Sequence, residues 1–171
     1  MFDIDIPILG FAAYSGTGKT TLLKKLIPLL KEKNIRIGMI KHAHHDFDID
    51  IPGKDSYELR KAGAEQMLVA SKQRWALMVE TPGQDEAQLS DLLKQLDTSK
   101  LDLVLIEGFK HVDYPKIECH RSSLEKDLIF PKDKSIIALA TDQKLMINTN
   151  IPQLDLNSPE EIVKFIQTSV L

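Results

Sequence analysis

The chain has 171 residues, of which 43% are hydrophobic and 27% charged, a composition that excludes a disordered or fibrous protein. That length suits one domain with a full hydrophobic core, spanning residues 1–171. The formal net charge of −3 excludes broad, sequence-independent nucleic-acid binding, which needs a dense field of Lys and Arg, but leaves room for a small positive pocket.

Residues 8–14 (Ile8-Leu9-Gly10-Phe11-Ala12-Ala13-Tyr14) form an apolar run of buried-strand length that ends in Ser-Gly-Thr-Gly. A helical pattern follows, with Leu22, Leu23, Leu26, Ile27 and Leu30 on one face and Lys24, Lys25 and Lys31 outside. Pro28 removes one backbone hydrogen bond and predicts a bend; Asn34 ends the helix. Residues 35–40 read as a second buried strand, which makes strand, glycine loop, helix and strand one βαβ unit with a right-handed crossover. Further strands are predicted at 66–70, 75–79, 101–106 and 136–140, with a weaker strand signal at 116–120. Helices are predicted at 56–62, 85–96 and 159–168, the last with Ser158 as its cap, Pro159 at the first position and acids in the first turn. Buried strands alternating with helices imply an α/β fold of three layers with a mostly parallel central sheet.

Cys119 is the only cysteine, so no internal disulfide can form, which suits a reducing compartment. Acids near the N-terminus and the lack of an apolar run of about 20 residues argue against a secretory signal and a membrane span. The expectation is a cytoplasmic protein that engages neither membrane nor nucleic acid.

The loop Ala13-Tyr14-Ser15-Gly16-Thr17-Gly18-Lys19-Thr20 matches the P-loop pattern except that Ala13 stands at the first glycine position. Gly16 and Gly18 let the backbone curl so that N–H groups from Ser15 to Thr21 form a nest for phosphate oxygens, with Thr17 between them. The following helix points its positive end at the same anion. Lys19 reaches the β and γ phosphates as the catalytic cation, and the Thr20 hydroxyl can ligate magnesium. The bland alternative is a glycine turn that binds nothing.

Residues 101–108 (Leu101-Asp102-Leu103-Val104-Leu105-Ile106-Glu107-Gly108) form an apolar strand that delivers Glu107 at its carboxyl end. Ligands of parallel sheets bind beyond that end, so Glu107 is a candidate magnesium ligand, whereas Asp102 lies at the opposite end. Alternatively, Glu107 caps a loop. In residues 42–51 the even positions are polar, so a period of two predicts an extended, half-buried segment with His42, His44, Asp46, Asp48 and Asp50 on one face. It could be a switch segment, with Asp46 helping the metal or the attacking water; it could bind a transition metal through His42, His44 and His45; or it could be a solvated face. The strand at 136–140 ends in Thr141-Asp142, where a carboxylate can accept from N1–H and the 2-amino group of guanine, donors that adenine lacks. The usual Asn-Lys-x-Asp is absent, and a surface turn aspartate is the alternative.

With these residues in hand, the chain resembles the molybdopterin-guanine dinucleotide biosynthesis adapter protein B (MobB) family of P-loop GTPases. The resemblance rests on residues 15–22, Lys41-His42-Ala43-His44-His45-Asp46, Gly53-Lys54-Asp55-Ser56, Ala62-Gly63-Ala64, Glu107-Gly108-Phe109-Lys110 and Thr141-Asp142. It implies a dimeric, cytoplasmic, GTP-binding protein that assists attachment of GMP to molybdopterin, with the guanylyltransferase of that step as its partner. Slow GTP hydrolysis with Mg2+ follows as an expectation. A P-loop small-molecule kinase is the enzyme-class rival, but the arginines Arg36, Arg60, Arg74 and Arg121 are widely separated and show no paired-arginine lid. Arg74 is the one considered for an arginine finger. A module that holds its nucleotide structurally is the third reading.

Overall fold

Chain order is β1 (Ile8–Ala12), α1 (Lys19–Glu32), β2 (Ile37–Lys41), α2 (Asp55–Lys61), β3 (Gln66–Ala70), β4 (Trp75–Val79), α3 (Leu89–Leu93), β5 (Leu103–Glu107), β6 (Lys116–His120), β7 (Ile136–Thr141), β8 (Gln153–Asp155) and α4 (Pro159–Ser169). These elements come from a computed structural model that describes the chain except residues 1, 44–46 and 84–85. The chain forms two compact units, residues 1–42 with 88–171 and residues 43–87.

The first unit holds a six-stranded sheet in the order β2-β5-β1-β6-β7-β8, with all five pairings parallel. β1 is buried along its whole length because it lies between β5 and β6. One sheet face presents Leu9, Phe11, Leu105, Ile117 and Ala138 to Leu22, Leu26 and Leu30 of α1 and to Ile162 and Ile166 of α4. Leu26 and Leu30 are 0% exposed, and full burial of such a side chain contributes about 1.5–3 kcal/mol. The α/β fold with a parallel central sheet is therefore the one expected from the sequence.

Pro28 does not divide α1. It is exposed, so the helical hydrogen bond it cannot make faces water, which can satisfy the orphaned carbonyl. Asn34 ends the helix as expected: at φ +60° its N–H donates to the Lys31 carbonyl while that of Ile35 donates to the Leu30 carbonyl. Ser158 occupies the cap position of α4, but its hydroxyl makes no capping bond; instead Glu161 reaches back to the Asp155 N–H at 3.3 Å. The helix predicted at 85–96 is confined to Leu89–Leu93, and β8, three residues long, gave no strand signal in the sequence.

The strands predicted at 66–70 and 75–79 exist but belong to no parallel sheet. β3 and β4 form a two-stranded antiparallel sheet of their own in the second unit. The reason is chain length: residues 71–74 separate them, closed by Ser71 N–H on the Arg74 carbonyl at 2.8 Å, whereas a parallel return needs about a dozen residues. Within this unit Arg60 is 8% exposed and joins Asp48 to Glu80, each at 2.6 Å.

Candidate functional site

The loop after β1 is shaped by two left-handed glycines, Gly16 at φ +85° and Gly18 at φ +97°, where a Cβ would strain the backbone. Thr17 is 2% exposed, and both its N–H and its hydroxyl donate to the Tyr14 carbonyl, at 3.3 and 2.7 Å. Ala13 is 4% exposed and packs in the core below the loop, so the departure from the glycine pattern lies on the core side. α1 starts at Lys19 with the Leu22 N–H on the Gly18 carbonyl, and its first turn carries no acid. Its positive end is therefore unopposed by its own side chains. Ser15, Thr20 and Thr21 are exposed beside it.

β5 pairs with β1 so that Glu107 lies opposite Phe11, two residues before the loop's first position. Lys19 Nζ is 3.2 Å from Glu107 Oε1 and Lys41 Nζ, at the end of β2, is 3.9 Å from Oε2. The two lysines and the acid thus gather at the carboxyl ends of three neighbouring strands. Gly108 at φ +102° and Phe109 at φ +52° turn the chain directly after Glu107. The turn is held from three directions: the His42 N–H donates to the Glu107 carbonyl at 2.8 Å, the His42 ring stacks on Phe109 at 4.6 Å, and the Tyr114 hydroxyl donates to the Gly108 carbonyl at 2.8 Å.

On the other side of β1, β6 ends at His120 and Arg121 follows. Arg121 Nε donates to the Thr17 carbonyl at 3.1 Å, and its Nη1 lies 3.6 Å from Asp142 Oδ2. Asp142, just past β7, accepts the Ser122 N–H on Oδ1 at 2.9 Å. That hydrogen bond, with a smaller contribution from the Arg121 charge, holds the Asp142 carboxyl below the usual carboxylate range against the opposing effect of burial.

Residues 15–21 and Glu107 thus share one end of the sheet, and Asp142 reaches the loop through Arg121. Asp102 lies at the opposite end of its strand, gripped by Arg36 through Nη2–Oδ1 at 2.6 Å and Nε–Oδ2 at 2.9 Å. Asp46, His44 and His45 lie outside the described residues. Among the described residues the apolar side of the extended, half-buried segment expected here is not buried: Phe47, Ile49 and Ile51 are 74%, 61% and 63% exposed, and Asp48 is taken up by Arg60. Asp50 accepts the Ser56 hydroxyl. Arg74 sits in the β3–β4 turn. Arg121 was missed because only the strand order reveals that β6 borders β1.

Among the described residues no three His, Cys, Asp or Glu side chains gather as a metal cluster. Magnesium does not need one, since it keeps several waters and is held by one or two carboxylates together with phosphate oxygens. The oxygen donors here, the Glu107 carboxylate at the sheet end and the exposed Thr20 hydroxyl, suit such a hard cation.

A family model described as molybdopterin guanine dinucleotide synthesis protein B (MobB) matches residues 8–142, from β1 to Asp142. The chain belongs to this family. A molybdopterin-guanine dinucleotide biosynthesis adapter protein of Escherichia coli strain K12 is 55% identical over 164 residues, covering 94% of this chain and 91% of that protein. The Haemophilus influenzae protein of the same description is 45% identical over 163 residues, covering 95% and 88%. The crystal structure of Bacillus subtilis MobB superposes with a TM-score of 0.73 at 24% identity, covering 97% of this chain and 99% of that one, which supports the fold. MobB membership thus agrees with the resemblance drawn from the motifs.

Proposed function

We propose that this MobB-family protein is a GTP-binding adapter in molybdenum cofactor biosynthesis, assisting the attachment of GMP to molybdopterin and hydrolysing GTP slowly on its own. The family and the adapter role named for its relatives support the pathway assignment. The observation that carries nucleotide binding is the meeting of Lys19 and Glu107 at 3.2 Å, beside a glycine loop at the start of a helix with no acid in its first turn.

In this reading the N–H groups of Gly16 and of Gly18 to Thr21, with the Lys19 ammonium, hold the β and γ phosphates, while Ser15 and Thr17 shape the loop. Thr20 and Glu107 hold Mg2+, which neutralises charge on the phosphate oxygens when bound. Asp142, at the end of β7, reads the guanine from the lone pairs that Ser122 leaves open. Asp46 remains the candidate for orienting water. Slow hydrolysis is expected because the sequence reveals neither a glutamine poised to orient water nor an evident finger arginine, which can contribute about 10³–10⁵ in rate.

The partner is the guanylyltransferase of the pathway, and the protein acts as a homodimer. Large apolar side chains of the second unit support a partner surface: Phe47, Trp75 and Leu68 are 74%, 67% and 60% exposed. No described helix is long and apolar enough to cross a membrane, in keeping with a cytoplasmic place of action.

Calorimetry with GTP, ATP and GDP, each with and without Mg2+, tests the binding. Tight, magnesium-dependent GTP binding and weak ATP binding are expected. Single-turnover hydrolysis is then measured alone and with the purified guanylyltransferase, alongside the yield of guanine dinucleotide cofactor. Turnover alone near 10 per second, the scale of a typical enzyme, would indicate an autonomous GTPase, and an unchanged cofactor yield would end the adapter reading. Phosphate transfer to an added small acceptor would favour the kinase.

A further inference from the structure

We propose that Arg121 is a positioning residue of the nucleotide site, tying the phosphate loop to Asp142 so that this acid governs phosphate affinity through the arginine as well as by contact with the base. The proposal rests on the phosphate-loop reading above. Its first support is which atom Arg121 holds. Nε donates to the Thr17 carbonyl at 3.1 Å, and that carbonyl shares a planar trans peptide with the Gly18 N–H. Carbonyl and N–H point in opposite directions across such a plane, so fixing the Thr17 oxygen on Arg121 aims the Gly18 N–H away from it. An inward-pointing N–H at this position is what a phosphate nest requires.

A tether is needed there because Gly18, at φ +97°, has no Cβ to keep the peptide from rotating. The guanidinium also lies close to that glycine: a Cβ built on Gly18 would be 3.5 Å from Arg121 Nη2. Leu124, at the end of the same turn, comes within 3.9 Å of a Cβ built on Gly16. The segment after β6 therefore backs both loop glycines.

Arg121 is in turn aimed by Asp142. Oδ1 accepts the Ser122 N–H at 2.9 Å, which fixes the carboxylate, and Oδ2 stands 3.6 Å from Nη1. That separation is too long for a hydrogen bond, so the attraction is one of charge. A planar fork can donate from Nε to the loop while turning an Nη edge to the acid; a lysine ammonium on a flexible stem cannot hold both directions at once.

The test uses the full chain and two probes, Mg-GTP and Mg-tripolyphosphate, the second having no base or ribose. Arg121→Ala should weaken both by a similar factor, about tenfold or more, the scale of a lost hydrogen bond in a charged site. Arg121→Lys should not restore either, and it carries the test if the alanine variant fails to fold in a thermal melt. Asp142→Asn should weaken tripolyphosphate by a smaller factor and add nothing in the Arg121→Ala background. Unchanged tripolyphosphate affinity in folded Arg121 variants, or additive losses in the double variant, would overturn the proposal. Lys19→Ala separates the two levels. If it weakens tripolyphosphate binding while the Arg121 variants leave it unchanged, only this inference falls; if Lys19→Ala also binds normally, the phosphate-loop reading falls and this inference with it.

Discussion

Lys19 and Glu107 were both legible in the sequence, one from its fixed place in a loop pattern and the other from its place at the end of an apolar strand. Their 3.2 Å pairing brings together residues 88 positions apart at the carboxyl ends of parallel strands, the end where ligands of such sheets bind. Lys19→Ala should weaken GTP binding by about 1.5–3 kcal/mol, the scale of a hydrogen bond to a charged group, as read by calorimetry. Unaltered affinity in a folded variant would refute the site. Glu107→Gln should reduce the magnesium-dependent part of GTP binding, whereas Asp102→Asn should leave it intact, because Asp102 is held by Arg36 at the far end of the strand. Arg121 escaped the sequence reading because its importance lies in what borders it. Nothing in the residues around it announces that β6 runs beside β1.

At the scale of elements, β6 gave a weak strand signal because its alternate positions, Lys116 and Glu118, are charged, yet they are only 2% and 1% exposed. Each is fully partnered: Lys116 Nζ donates to Asp133 and Ser135 at 3.0 and 2.7 Å, and Glu118 accepts the N–H groups of Ile129 and Phe130, both at 2.8 Å. Periodicity reads charge as exposure, whereas burial tolerates charge whose hydrogen bonds are satisfied. The hairpin β3–β4 erred in the other direction: its apolar residues look like core strands, but Leu68 and Trp75 are exposed. The starts of β2 and β5 are joined by Arg36 and Asp102, and the Arg36 hydrogen bonds lower the Asp102 carboxyl from its ordinary 3.8 to about 2. A lowered carboxylate stabilises the fold above its unfolded value and loses that contribution as pH falls from about 3.8 to about 2. Asp102→Asn should therefore remove stability at neutral pH and flatten the acid-induced loss across that window, measured as urea midpoints against pH. Parallel curves for the variant and the parent would show that the pair does not couple to folding.

On the whole-molecule scale, the exposed apolar side chains of the second unit predict self-association. Trp75→Asp, at a site 67% exposed, should shift the protein toward monomer in sedimentation equilibrium while leaving GTP affinity unchanged, because the phosphate loop, Glu107, Arg121 and Asp142 belong to the other unit. An unshifted mass would mean that Trp75 takes no part in self-association. The sequence by itself determined the α/β class, the glycine loop between β1 and α1, the place of Glu107 at the end of β5 and the family, because each is written in local pattern: apolar runs, glycines at fixed spacing, an acid at a strand end. Only the tertiary structure decided that β3 and β4 leave the parallel sheet, that buried charges complete β6, and that Arg121 and Asp142 meet the loop from the far side of β1. Those facts depend on which strands become neighbours. Strand order is set by the packing of the whole sheet, including β6 beside β1, and no local stretch of sequence carries it.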